Sequence, residues 1–166
     1  MRLVDCQDIS DNGFNEAVRK LSRLEELDIS LCNLTKYSIE VIGLSCPLLK
    51  SFTFERDWSA YILGADDEAL VISETMPRLS RLDIKGNKLT NDGLLAILDR
   101  CPLLEYLDIQ GCYNLNLTES LKKRCIEQIK HLRLPILSNY EDFVDYDDGV
   151  TYRDSILDDD LYDPYD

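Results

Sequence analysis

The pattern Leu-x-x-Leu-x-Ile, written at Leu24 as LEELDI, returns at Leu49 as LKSFTF, at Leu79 as LSRLDI, at Leu104 as LEYLDI and at Ile129 as IKHLRL. The steps are 25, 30, 25 and 25 residues. A half-pattern, Leu3 followed by Cys6, matches Ile29 followed by Cys32 and carries the array back to Met1. A fixed period of roughly 20–50 residues marks an array whose units cannot bury their apolar faces alone and must stack on their neighbours. That excludes most folds before any other residue is considered.

Each unit reads as two elements. In the first, Leu24, Leu27 and Ile29 point inward, while Glu26, Asp28 and Ser30 alternate outward along a short strand. Stacking sets these strands side by side, near residues 27–29, 52–54, 82–84, 107–109 and 132–134. Parallel strands need a crossover, and the rest of each unit supplies it as a helix. Leu94, Ile97 and Leu98 fall at helical spacing, as do Phe14, Ala17 and Val18. Aligning the units gives a column of Ala17, Ile42, Ile72, Ile97 and Leu121, expected to form the helix side of the core. Ser10, Thr35 and Thr90 stand where an N-cap is needed, and Pro47, Pro77 and Pro102 follow the helices. The expected fold is an α/β horseshoe-arc solenoid over residues 1–135, with parallel concave strands and outer helices.

The register also assigns the six cysteines. Cys6, Cys32 and Cys112 share one slot with Asn87 and Asp57, three residues after the last apolar residue of the strand. The chain turns there and strands backbone groups inside, so a small side chain able to hydrogen-bond suits these structural turn positions. Cys46, Cys101 and Cys125 sit at the helix ends, where Met76 is their counterpart. With no Cys-x-x-Cys and a single histidine, His131, buried and reduced structural thiols are expected rather than disulfides or a metal site. No cofactor is expected.

Charge divides the chain. Of its net -14, most lies in residues 136–166, which hold eleven acidic residues against one arginine. That segment, with Tyr140, Tyr146, Tyr152, Tyr162 and Tyr165, is expected to be a disordered acidic tail. A negative chain is a poor ligand for nucleic acid, whose phosphates need clustered Lys and Arg. No apolar run reaches the length of a membrane span, and MRLVDCQDIS has no signal-peptide core. A cytoplasmic or nuclear protein is the simplest expectation; the sequons at Asn33 and Asn116 would matter only outside it. No catalytic set assembles around one histidine, and Gly86-Asn87-Lys88-Leu89-Thr90 lacks the frame of a phosphate loop, so an enzyme is not expected.

Cys-Pro at the unit end, Leu-x-x-Leu-x-Ile, then Cys or Asn and Leu-Thr-x-x-Gly-Leu together resemble the cysteine-containing leucine-rich repeat. Longer stretches, SCPLLKSF, TMPRLSRLDIKGNKLTNDGLLAILDRCPLLEYLDIQGC and KKRCIEQIKHLRLP, are similar to plant F-box/LRR-repeat proteins. The resemblance covers about residues 1–135. It implies a module that presents a protein target to an SCF-type ubiquitin ligase, with the Skp adaptor and cullin reached only through an F-box. Met1 already falls in the first strand, so these residues themselves leave no place for an F-box, and a fragment or truncated family member is expected. A stand-alone adaptor that binds a protein without ligase recruitment remains the alternative.

The candidate protein-binding residues lie on the concave row: Glu26, Asp28, Thr53, Glu55, Arg81, Asp83, Lys85, Tyr106, Asp108 and Gln110, with His131 and Arg133 beyond them. Charges of both signs suit a protein better than a polyanion. Asp83 and Asp108 are expected to be solvated, so reversing both should weaken binding without unfolding the body. The 30-residue unit carries five extra residues around Trp58 and Tyr61, which form a second candidate contact because exposed aromatics are frequent anchors.

Overall fold

The computed structural model describes residues 1–56 and 66–135. The inserted stretch with Asp57, Trp58 and Tyr61, and the acidic segment from 136 onward, lie outside the described residues. Strands and helices alternate: α1 (Asp11–Val18), β1 (Glu26–Asp28), α2 (Lys36–Ser45), β2 (Ser51–Thr53), α3 (Asp67–Thr75), β3 (Arg81–Asp83), α4 (Asn91–Arg100), β4 (Tyr106–Asp108), α5 (Glu119–Gln128) and β5 (His131–Arg133). The five strands form one parallel sheet in sequence order, as the period demands. Leu27, Phe52, Leu82, Leu107 and Leu132 are in register across it. The half-unit at the start joins as well, with Arg2 bridged in parallel to Asp28.

Each strand ladder sits one residue earlier than the expected spans. The inter-strand bonding nevertheless runs on, Ile29 N–H to the Thr53 carbonyl and Ile84 N–H to that of Asp108. The apolar residues of the strands and helices meet in one core between the two layers. Phe52, Phe54, Ile42, Ile72, Ile97 and Leu107 are fully buried within it, and Leu121 is buried at its end. Ala17 is the exception to its column and is exposed, while Phe14 and Val18 are buried. Among the described helices, α1 packs against α2 on one flank only.

The caps fall where expected. The Ser10, Thr35 and Thr90 hydroxyls accept from the backbone N–H groups of Gly13, Tyr37 and Asp92, and Thr118 does the same for Leu121. Successive units are also clamped together at these caps. The Asp11 carboxylate accepts from the Thr35 N–H at 2.9 Å and hydroxyl at 2.8 Å, and from the Ser38 hydroxyl. Asp66 binds the Thr90 N–H and hydroxyl in the same way, and Asn91 holds both backbone groups of Asn116. A helix start, where N–H groups lack helical partners, thereby becomes a joint between repeats.

All six cysteines are free; five are buried and Cys6 is half-buried. Four of the thiols reach back one unit. Cys32 donates to the Leu3 carbonyl at 3.3 Å, Cys112 to Ile84 at 3.3 Å, Cys46 to Leu21 at 3.5 Å and Cys101 to Met76 at 3.7 Å. Burial pushes the Cys101 and Cys112 thiols up to about 11 and about 12. Such thiols stay protonated and serve as weak donors rather than nucleophiles or ligands.

Candidate functional site

The side of the sheet facing away from the core presents three rows of side chains, because alternate residues of every strand point the same way. The first row is Glu26, Ser51, Arg81, Tyr106 and His131; the second is Asp28, Thr53, Asp83, Asp108 and Arg133. Ser30, Glu55, Lys85 and Gln110 follow where the strands end. The ten expected concave residues are thus brought onto one face. Ser51 completes the first row and was missed, although it stands one position before Phe52 in the same alternation.

The second row is less open than its sequence pattern suggests. Asp83 is 5% exposed and Asp108 0%, where solvated carboxylates were expected. Each is walled by a strand on both sides and roofed by Lys85, whose ammonium lies 3.2 Å from Asp83 and 3.4 Å from Asp108. Arg133, at 3.8 Å, and the Tyr106 hydroxyl, at 3.5 Å, also close over Asp108. Burial pushes the Asp83 carboxyl up, the Asp108 charge adds to this, and Lys85 offsets part of it. Burial pulls the Lys85 ammonium down, but the two carboxylates together hold it above its ordinary value. Charge reversal at both aspartates would bury two unpaired cations beside Lys85, so it tests folding and not binding.

The aspartates have work of their own at the strand ends. Asp28 accepts from the backbone N–H of Ser30 at 3.0 Å, and Asp108 from that of Gln110 at 3.1 Å. An aspartate carboxylate bonded two residues onward is a turn-forming device. Between Asp83 and Asp108 the space is filled by the Lys85 ammonium.

The first row stays accessible. Arg81 is exposed, with its guanidinium 3.5 Å over the Tyr106 ring, and the His131 ring lies 6.5 Å beyond, tilted against the tyrosine. Stacking on an aromatic face fixes a long, otherwise mobile side chain at little further entropy cost on binding. Among the described residues Arg81 makes no salt bridge.

Beyond the ends of the inner strands β2 and β3 lies a buried polar group that the sequence did not reveal. Arg56 donates to Glu68 at 2.9 Å and to the carbonyls of Leu34 at 2.6 Å and Cys32 at 3.3 Å; Glu68 in turn accepts from Asn87 at 2.9 Å. Asn87, expected to bond stranded backbone groups, gives its side-chain N–H to a carboxylate instead. Arg56 occupies the slot held by Leu31, Gly86 and Gly111 in other units, and a charged residue in that slot was the available signal.

Five parallel strands at a constant period, with a helix after each and Cys or Asn at the turn, define a leucine-rich-repeat protein, by class a protein-interaction module. Residues 76–98 match the leucine-rich repeat family. Over 135 residues the chain is 48% identical to F-box/LRR-repeat protein 23 of Arabidopsis thaliana, covering 80% of this chain and 30% of that protein. It is 44% identical to the F-box protein SKIP19 of the same plant, covering 81% and 43%, and 32% identical to the F-box protein FBW2, covering 84% and 45%. The chain carries cysteine-containing leucine-rich repeats of the plant F-box/LRR-repeat kind, and it spans less than half the length of these relatives. Among the described residues, no helix is long and apolar enough to cross a membrane.

Proposed function

We propose that this chain is the substrate-recognition part of an F-box/LRR subunit of an SCF-type ubiquitin ligase, holding a protein target on its strand face. The observation that carries the reading is the first row, where an exposed arginine is held ready on Tyr106 while the neighbouring carboxylates are already paired with Lys85. A stacked, unpaired arginine beside an aromatic has the composition of a binding anchor. The names of the relatives supply the ligase context. In this proposal the Skp adaptor and cullin are reached through an F-box outside residues 1–135, and Trp58 and Tyr61 add a second contact to the target.

The test is capture of partners from plant cells by the tagged chain, with cross-links mapped by mass spectrometry. One variant carries Arg81→Glu with Tyr106→Ala; a control carries Glu74→Lys with Arg100→Glu, which swaps an exposed ion pair on the helix side. The strand-face variant should lose the partner that the control keeps. Equal capture by both moves the site off the strand face. Direct binding of a purified Skp adaptor to the chain would overturn the division of labour between repeats and F-box.

A further inference from the structure

We infer that the β3–β5 half of the strand face receives an anionic segment of the bound protein, an extended peptide stretch whose carboxylates or phosphates lie over Arg81, His131 and Arg133. This rests on the reading that the strand face binds a protein. The face is electrically divided along the sheet. On β1 and β2 its ionisable side chains are Glu26, Asp28 and Glu55, with Arg2 drawn to Asp28 at 3.1 Å. On β3 to β5 they are Arg81, Lys85, His131 and Arg133 above, with Asp83 and Asp108 buried beneath. A group approaching this half from solvent meets cations first.

Those cations are not equally free. Lys85 is committed to the two aspartates. Arg133 touches Asp108 only at 3.8 Å and keeps 57% of its side chain exposed. Arg81 rests by its flat face on Tyr106, which leaves the in-plane N–H donors of the guanidinium available for two-point contact with a carboxylate or phosphate. His131, exposed on the far side of Tyr106, adds a ring donor.

The spacing limits what fits. Neighbouring strands lie roughly 4.8 Å apart, so β3 and β5 are about 10 Å apart. Arg133 also stands two positions further along its strand than the row of Arg81, about 7 Å, so the two cations lie about 12 Å apart on a diagonal. An extended peptide rises about 3.3 Å per residue and turns alternate side chains to one face, so anionic side chains four residues apart can reach both when the segment crosses the strands. A nucleic-acid backbone would need a longer run of cations, and Glu26 and Glu55 stand in its path on the same sheet.

The probes are synthetic Gly-Ser peptides carrying two glutamates four residues apart, the same peptide with phosphoserines, the same with glutamines, and an oligouridylate. Each is titrated into the isotopically labelled full chain and followed by amide and side-chain NMR shifts. Glutamate or phosphoserine should shift Arg81, Tyr106, His131 and Arg133, and the comparison of the two shows which anion the site prefers. Glutamine should bind at least tenfold more weakly, and Arg81→Gln with Arg133→Gln should weaken the anionic peptides at least tenfold. Equal binding of the glutamine peptide, tighter binding of oligouridylate, no binding by either anionic peptide, or shifts confined to the helix side would overturn the inference. The protein-binding reading fails separately, when the Arg81 and Tyr106 variant captures its cellular partner as well as the wild type does.

Discussion

Replacing Arg56 by alanine probes how the widened repeat is held together. Its side chain is 10% exposed and that of Glu68 5%, and the two meet at 2.9 Å. The arginine also closes two backbone carbonyls and lies 4.3 Å over the Phe54 ring. Removing it leaves a buried carboxylate facing only Asn87, with the Leu34 and Cys32 carbonyls short of a donor. Breaking a buried pair from one side costs about 3–5 kcal/mol. For a body of this size each kcal/mol moves the midpoint by about 3 °C, so a Tm lower by about 12 °C is expected. Arg56→Met with Glu68→Met should recover more than half of that loss, since apolar replacement of a whole buried pair is often neutral. Arg100→Ala serves as the control. Its pair with Glu74, at 3.0 Å, has both side chains more than half exposed, and such pairs contribute about 0–1 kcal/mol. Thermal unfolding gives the Tm and urea unfolding the free energy of all three, each followed by far-UV circular dichroism. An Arg56→Ala variant within 1 kcal/mol of the Arg100→Ala control would refute the claim that this buried network holds the third unit to its neighbours.

Thiol titration of the native protein at mildly alkaline pH should show Cys6 reacting first, while Cys101 and Cys112, held near 11 and 12 by burial, react only on unfolding; six free thiols in denaturant without reductant complete the count. Asp11 is depressed below its ordinary 3.8: burial raises it, but the Ser38 and Thr35 hydrogen bonds outweigh that. A depressed carboxyl stabilises the fold above its unfolded value and loses that contribution as pH falls through the folded one. Asp11→Ala should therefore be less stable than wild type at pH 7, with the gap closing below about pH 4; a gap independent of pH would count against the clamp. Gly43→Ala would drive a methyl group into the Thr75 side chain where α2 meets α3, and should cost about 1–3 kcal/mol. Adding Thr75→Ala removes the hydroxyl that the methyl group meets but leaves the Cβ that it also meets, so it should restore only part of the loss; no recovery at all in chemical denaturation would place the strain elsewhere.

The sequence by itself determined the architecture. A period kept through Leu24, Leu49, Leu79, Leu104 and Ile129 permits one way of stacking, and caps and prolines at matching positions mark the same boundaries. The thiol slots were readable for the same reason, since a residue repeated at one register position meets one environment. Ala17 shows where that logic stops. Its place in the column is right, but its burial depends on a neighbour that α1 has on one flank only. The strand face was legible as a set of residues and not as a surface, because alternation says which way a side chain points and nothing about what lies over it. Asp83 and Asp108 read as solvated carboxylates until packing placed Lys85 across both. Arg56, Glu68 and Asn87 are 12 and 19 residues apart along the chain, and no local pattern links them. Their pairing exists because the folding of one unit and its stacking on the next bring the three side chains to one point, where a buried charge must find its partner through space.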